Sequence, residues 1–203
     1  MKDKMKQFPK IKITIPFCFL VAALYLLDFK NAFFPTLIAI SIHEAAHIMA
    51  IHLLGGKVDR ISLAAAGISV NVPELRYISY LKETIIAAAG PIAGIFTAIV
   101  ATVAAKMLNI TFLNYFIGIN IVITAINLLP VFPLDGGRII LSLGLRFLSI
   151  RAAYAISYIF SIISIGVLAG GCVYLAAFGR LNPSLVIFSG YVALCGIKSR
   201  PIP

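Results

Sequence analysis

Apolar residues fall in six blocks along the chain, separated by short polar or charged breaks. They run from Ile13 to Leu27, Ala32 to Leu54, Thr84 to Met107, Phe112 to Leu129, Ala152 to Phe178 and Pro183 to Ile197. A membrane-crossing helix needs about 20 predominantly apolar residues, so the pattern predicts six transmembrane helices. The first and last blocks are short, and flanking Lys or Arg side chains can snorkel to the surface. The first block is not read as a cleaved leader, because Leu26-Leu27-Asp28-Phe29 offers no small-x-small site. The longest polar connection runs from Gly55 to Lys82. Within it Ile61 to Val72 reads ISLAAAGISVNV, and its β-branched residues around a central glycine, Gly67, predict a β-hairpin. This stretch is too apolar for a free cytosolic loop and is expected at, or dipping into, the membrane surface. The expected fold class is all-α and polytopic: six transmembrane helices, with a small membrane-associated β-hairpin between the second and third. Residues 1–203 are expected to form one transmembrane domain, with no separate soluble domain.

Composition changes the picture by exclusion. Hydrophobic residues make up 61% of the chain and charged residues 12%, with a mean hydropathy of +1.04. Soluble domains average about 45–50% apolar and about 25% charged. A chain of 203 residues cannot bury that surplus, which excludes a soluble enzyme and a disordered tail. The net charge of +10 does not imply nucleic acid, because its placement has another explanation. Fourteen of the 17 Lys and Arg residues lie before the first span, after the second, after the fourth or after the sixth. Only Lys30, Lys106 and Arg180 fall on the other side. By the positive-inside rule both termini are cytoplasmic, in a multi-pass protein of the cell membrane, and the basic face can attract anionic lipid. Cys18, Cys172 and Cys195 lie far apart in apolar stretches and read as small buried hydrophobes.

The chemistry lies where polarity interrupts an apolar block. Among seven acids, Glu44 is deep in the second span and Asp135 just follows the fourth. All three histidines, His43, His47 and His52, share the span of Glu44. An ionisable group inside a span is costly and is a functional candidate by default. Ser41 to His47 contains HExxH, and residues four apart on a helix face one way. His43 and His47 can therefore offer two imidazole nitrogens to one metal, with Glu44 beside them to take a proton from water. A polar packing cluster or proton relay is the plainer alternative. A catalytic zinc site usually takes three protein ligands. His52 falls on the opposite helix face, and Glu74 and Glu83 sit among basic loop residues. Asp135 is the better third ligand. It follows Asn127-Leu128-Leu129-Pro130-Val131-Phe132-Pro133-Leu134, where two prolines break the helix, and precedes Gly136-Gly137, which free the backbone. Unwound backbone at membrane depth is tolerated where it lines a cavity.

HExxH in a span, followed by N-x-x-P-x-x-x-L-D-G after a later span, resembles the site-2 protease family of intramembrane zinc metalloproteases. Asn127, Pro130, Leu134, Asp135 and Gly136 match the second motif, and Gly90-Pro91-Ile92-Ala93-Gly94 resembles the family's glycine-rich motif. The resemblance covers roughly Thr36 to Arg138, a catalytic core of about 32–138, and looks closest to the sporulation branch. That branch often carries a CBS domain, which is expected to be missing here, and no PDZ domain fits between spans. The resemblance implies Zn2+ held by His43, His47 and Asp135, with Glu44 as general base. It implies that Asn127 holds the substrate or the developing oxyanion, whereas the residues alone allow an interhelical hydrogen bond. Gly67, in the hairpin that can pair with an unwound substrate, and Gly90 and Gly94, which allow close approach of helices, are the expected substrate-binding positions. The implied reaction is peptide hydrolysis in or near transmembrane segments of membrane proteins, with a membrane regulatory partner as a further expectation. A metal or ion permease using the same cluster for transit is the rival, although a permease has no need of an acid placed like Glu44. An inactive relative that only binds membrane partners is a third reading.

Overall fold

The computed structural model describes residues 10–13, 32–56, 60–64, 67–71, 79–108, 110–179 and 183–198. The first expected span therefore lies outside the described residues, apart from Ile13. Six helices are described: α1 (Phe33–Leu53), α2 (Tyr80–Leu108), α3 (Thr111–Asn127), α4 (Asp135–Phe147), α5 (Ile150–Ala177) and α6 (Pro183–Lys198). Three strands, β1 (Lys10–Ile13), β2 (Arg60–Ala64) and β3 (Gly67–Asn71), form one sheet in the order β1-β2-β3. The chain divides into two compact units, Met1–Ile78 with Ala93–Ile121, and Ser79–Ile92 with Val122–Pro203.

In the first unit, β2 and β3 pair antiparallel, Arg60 opposite Asn71 and Ala64 opposite Gly67. β1 adds to β2 in parallel, Lys10 opposite Arg60. Lys10-Ile11-Lys12-Ile13 alternates polar and apolar residues as a strand does, but the pairing itself has no local sign, since the partner lies about 50 residues away in sequence and parallel pairing needs a long crossover. α1 begins without a side-chain cap, although Thr36 Oγ1 donates to the Ala32 carbonyl at 2.7 Å. It ends by a reversal at Gly55, whose φ of +84° suits glycine. There Gly55 N–H reaches the His52 carbonyl (3.1 Å) and Gly56 N–H the Ile51 carbonyl (2.9 Å), the hydrogen-bond pattern of a Schellman motif.

In the second unit the segment after α3 folds back on itself. Val131 is fully buried, its N–H reaches the Leu129 carbonyl (2.8 Å), and the Leu134 N–H reaches the Val131 carbonyl (2.8 Å). Ser161 on α5 donates to the Pro130 carbonyl at 3.1 Å. The sequence pattern leaves the backbone unwound through Asp135 and its glycines, and the structure corrects this: α4 starts at Asp135. Gly136 and Gly137 supply closeness rather than backbone freedom, since neither has positive φ. A Cβ on Gly136 would run into the Leu128 carbonyl, and one on Gly137 would come within 2.5 Å of Phe132 N and Val131 C. α5 begins with Ser149 accepting from the Ala152 N–H at 3.3 Å. Gly144 of α4 faces Ala153 of α5 closely enough that a Cβ would sit 3.0 Å from that methyl.

Among the described residues, three helices are long and apolar enough to cross a membrane: α1, α2 and α5. α3 is apolar but shorter, and α6 has 16 residues. Their bounds agree closely with the second to sixth apolar blocks. α2 exposes Ile95, Phe96, Ile99, Val100 and Val103, and α5 exposes Ile159, Ile163, Val167 and Val173. Contiguous apolar surface on this scale is foreign to a protein in water and suits helices set in lipid.

Candidate metal centre

α1 carries its polar residues on the face it buries. Pro35, Ala39, His43, Ala46, His47, Ala50 and Ile51 are its buried positions, spaced at three or four residues as one helical stripe requires. The neighbours of the two histidines along this stripe are Ala39, Ala46, Ala50 and Ile51. His43 Nε2 and His47 Nε2 lie 3.2 Å apart, and the rings stand nearly perpendicular, at 79°. Two nitrogens bound to one tetrahedral zinc at about 2.0–2.1 Å lie about 3.3 Å apart, so the pair already has the separation a shared ion requires. Glu44 is half-buried on the same helix, and His52 is exposed in its last turn.

Asp135 is buried at 6% exposure in the first turn of α4, where the partial positive charge of the helix end favours a carboxylate. One ligand atom from each of His43, His47 and Asp135 lies within 4.8 Å of the others, forming a buried group that could hold a metal ion. Two imidazoles and a carboxylate make a borderline-soft N2O donor set, which fits zinc in a three-ligand catalytic arrangement.

Around Asp135 lies an ion-pair chain that spacing alone does not announce. Arg138, one turn along α4, places Nη1 3.6 Å from Asp135 Oδ1. The same guanidinium donates to Glu83 Oε1 through Nη2 at 2.7 Å and Nε at 3.2 Å. Glu83 stands in the first turn of α2. Next to this pair, Thr84 Oγ1 and Ser142 Oγ are hydrogen-bonded at 2.7 Å. The reading of Arg138 as an orienting charge misses this contact. The Asp-x-x-Arg spacing, joined to the amphipathic run that follows it, is the signal that could have found α4.

Asn127 is half-buried at the last residue of α3, where its Nδ2 donates to the Ile123 carbonyl at 3.0 Å. Gly90 and Gly94 are buried in α2, and Gly67 opens β3. Glu74 lies outside the described residues. On the buried side of α3, Asn120 and Thr124 are 1% and 6% exposed.

Residues 102–167 match the family model of Peptidase family M50. The chain is 30% identical over 146 residues to Stage IV sporulation protein FB of Bacillus subtilis (strain 168), an alignment that covers 70% of the chain and 50% of that relative. The chain thus spans about half the length of the curated relative it matches. Its fold is similar to that of the Site-2 Protease from Methanocaldococcus jannaschii, with a TM-score of 0.65 over 98% of this chain and 95% of that one, at 19% identity. The matched family model over residues 102–167, this relative and the HExxH and LDG motifs all point the same way: the chain is similar to members of Peptidase family M50.

Proposed function

We propose that the protein is an intramembrane zinc metalloprotease that hydrolyses peptide bonds in or near the transmembrane segments of membrane-protein substrates. The observation that carries this reading is the buried His43–His47–Asp135 group, in a chain whose residues 102–167 match Peptidase family M50. His43 and His47 would hold zinc through their Nε2 atoms and Asp135 through its carboxylate. Zinc bound there supplies Lewis acidity, which acidifies water and polarises a carbonyl. Glu44, next to His43 on α1, takes the proton from the attacking water and passes it to the leaving amine. Asn127 donates to the substrate carbonyl as negative charge develops on it; in the free enzyme its amide is parked on its own helix.

A helical substrate hides its carbonyls in backbone hydrogen bonds, so it must unwind before cleavage. The β2–β3 pair, lying at the membrane surface, offers an edge that an unwound segment can join as a further strand, with Gly67 at the turn end of that pair. Gly90 and Gly94, the small buried positions of α2, line the approach. The chain crosses the cell membrane six times with both termini cytoplasmic, a topology supported by the placement of fourteen of its 17 basic residues. The permease alternative is not favoured, because the matched family consists of peptidases.

The test is Glu44→Gln in detergent-purified protein, with zinc content and cleavage of single-span substrates measured together. Removing a general base is expected to slow cleavage about 10²–10⁴-fold while zinc stays bound. Cleavage at the wild-type rate overturns the assignment of Glu44.

A further inference from the structure

We propose that Glu83 is a positioning residue for the metal centre: by binding the guanidinium of Arg138 it keeps that cation from closing on Asp135. The inference rests on the reading of Asp135 as a zinc ligand.

The distances set out the arrangement. Glu83 Oε1 receives two donors of the guanidinium, at 2.7 and 3.2 Å, whereas the third edge stands 3.6 Å from Asp135 Oδ1. Arg138 is therefore engaged by the distal acid and only near the proximal one. A guanidinium and a metal ion compete for the same carboxylate lone pairs, and a fork-to-fork Arg–carboxylate pair is among the strongest polar contacts open to either group. With Glu83 present, Glu83, Arg138 and Asp135 together carry one negative charge. Without it they are neutral, and Arg138 has Asp135 within one helical turn as its acidic partner. Rotation of the guanidinium would then shorten the 3.6 Å contact, tie up the carboxylate and set a cation against an incoming divalent ion.

The framework keeps Glu83 in position for this task. Thr84, the next residue, is bonded to Ser142, one turn beyond Arg138, so the start of α2 and the first turns of α4 are fastened side by side. Ser142 also donates to the Arg138 carbonyl at 2.8 Å. Glu83 and Arg138 are each a little under one-third exposed, so the pair is partly shielded from water and its competition with Asp135 is only partly screened.

A brace that merely supports the fold and a device that restrains Arg138 differ in the sign of the double substitution. The experiment measures zinc affinity by competition with a chromogenic chelator, on full-length protein in detergent, for wild type, Glu83→Gln, Arg138→Gln, the double variant and Asp135→Asn. Glu83→Gln is expected to weaken zinc binding about tenfold, the lower end of what outer-shell changes cost at metal sites. Arg138→Gln is expected to bind at least as tightly as wild type, and the double variant to regain most of the loss. Wild-type affinity in Glu83→Gln overturns the proposal, as does a double variant no better than Glu83→Gln. Should Glu83→Gln lose its helical circular dichroism, Arg138→Gln decides: weaker binding in that variant overturns the proposal. If wild type takes up no zinc, or Asp135→Asn binds as well as wild type, the zinc-site reading itself fails and the inference falls with it.

Discussion

Gly137→Ala tests whether α4 sets the position of Asp135. A methyl at this position would lie 2.5 Å from both Phe132 N and Val131 C and 2.7 Å from Val131 O. All three are backbone atoms of a segment whose central residue, Val131, is fully buried. Ordinary contact begins near 3.4 Å, so the first turn of α4 must move away by about 0.9 Å. No flexible side chain is among the atoms nearest that methyl to absorb the shift. Overpacking of this kind costs roughly 1–3 kcal/mol, and Asp135, two residues earlier on the same turn, moves with the helix. A displacement near 1 Å at reacting groups can cost about 10²-fold in rate. The assays are thermal unfolding in detergent, zinc stoichiometry and substrate cleavage, with Gly118→Ala as the control. Gly118 is helical, and a methyl added there would meet nothing within 4 Å, so alanine is expected to be neutral or stabilising by roughly 0.5–1 kcal/mol. If Gly137→Ala matches Gly118→Ala in unfolding temperature, zinc content and activity, the view that Gly137 holds α4 and Asp135 in place is refuted.

Two further outcomes follow from the same geometry. Asn127→Ala is expected to slow cleavage about 10²–10³-fold, as loss of an oxyanion donor does, with zinc content unchanged; a parallel loss of zinc would instead assign Asn127 a role in the framework. Ser161→Ala removes the donor to the Pro130 carbonyl and is expected to lower stability by about 1 kcal/mol, read as an earlier unfolding midpoint with zinc still bound at full stoichiometry.

The site is legible in the sequence to the extent that polarity is misplaced. His43, Glu44 and His47 are conspicuous because nothing else around them in α1 is charged, and helical spacing puts the two imidazoles on one face without any tertiary knowledge. Asp135 stands out for the same reason, at the edge of an apolar block. The start of α4 is masked, because Gly136-Gly137 after two prolines reads locally as a break, although the amphipathic run after it is there to be read. The backbone of residues 128–132 lies against those glycines, a close approach within one short segment that residue spacing does not reveal. The Glu83–Arg138 pair, 55 residues apart in sequence, is hidden likewise, since each charge is accounted for by its own surroundings until the fold brings them together. β1 is legible only in part: KIKI alternates as a strand does, but four residues at the edge of an apolar block give no sign of a partner far along the chain.

The reversal at Gly55 and Gly56 has a consequence for where α1 can stop. Leu54, Gly56 and Gly55 donate in turn to the carbonyls of Ala50, Ile51 and His52, so three of the last four carbonyls of the helix are satisfied by its own chain. A terminus satisfied largely from within depends less on hydration, and its depth is less tied to the level at which water begins. The histidine-bearing helix can thus keep a fixed height while the surrounding bilayer thins or thickens around it.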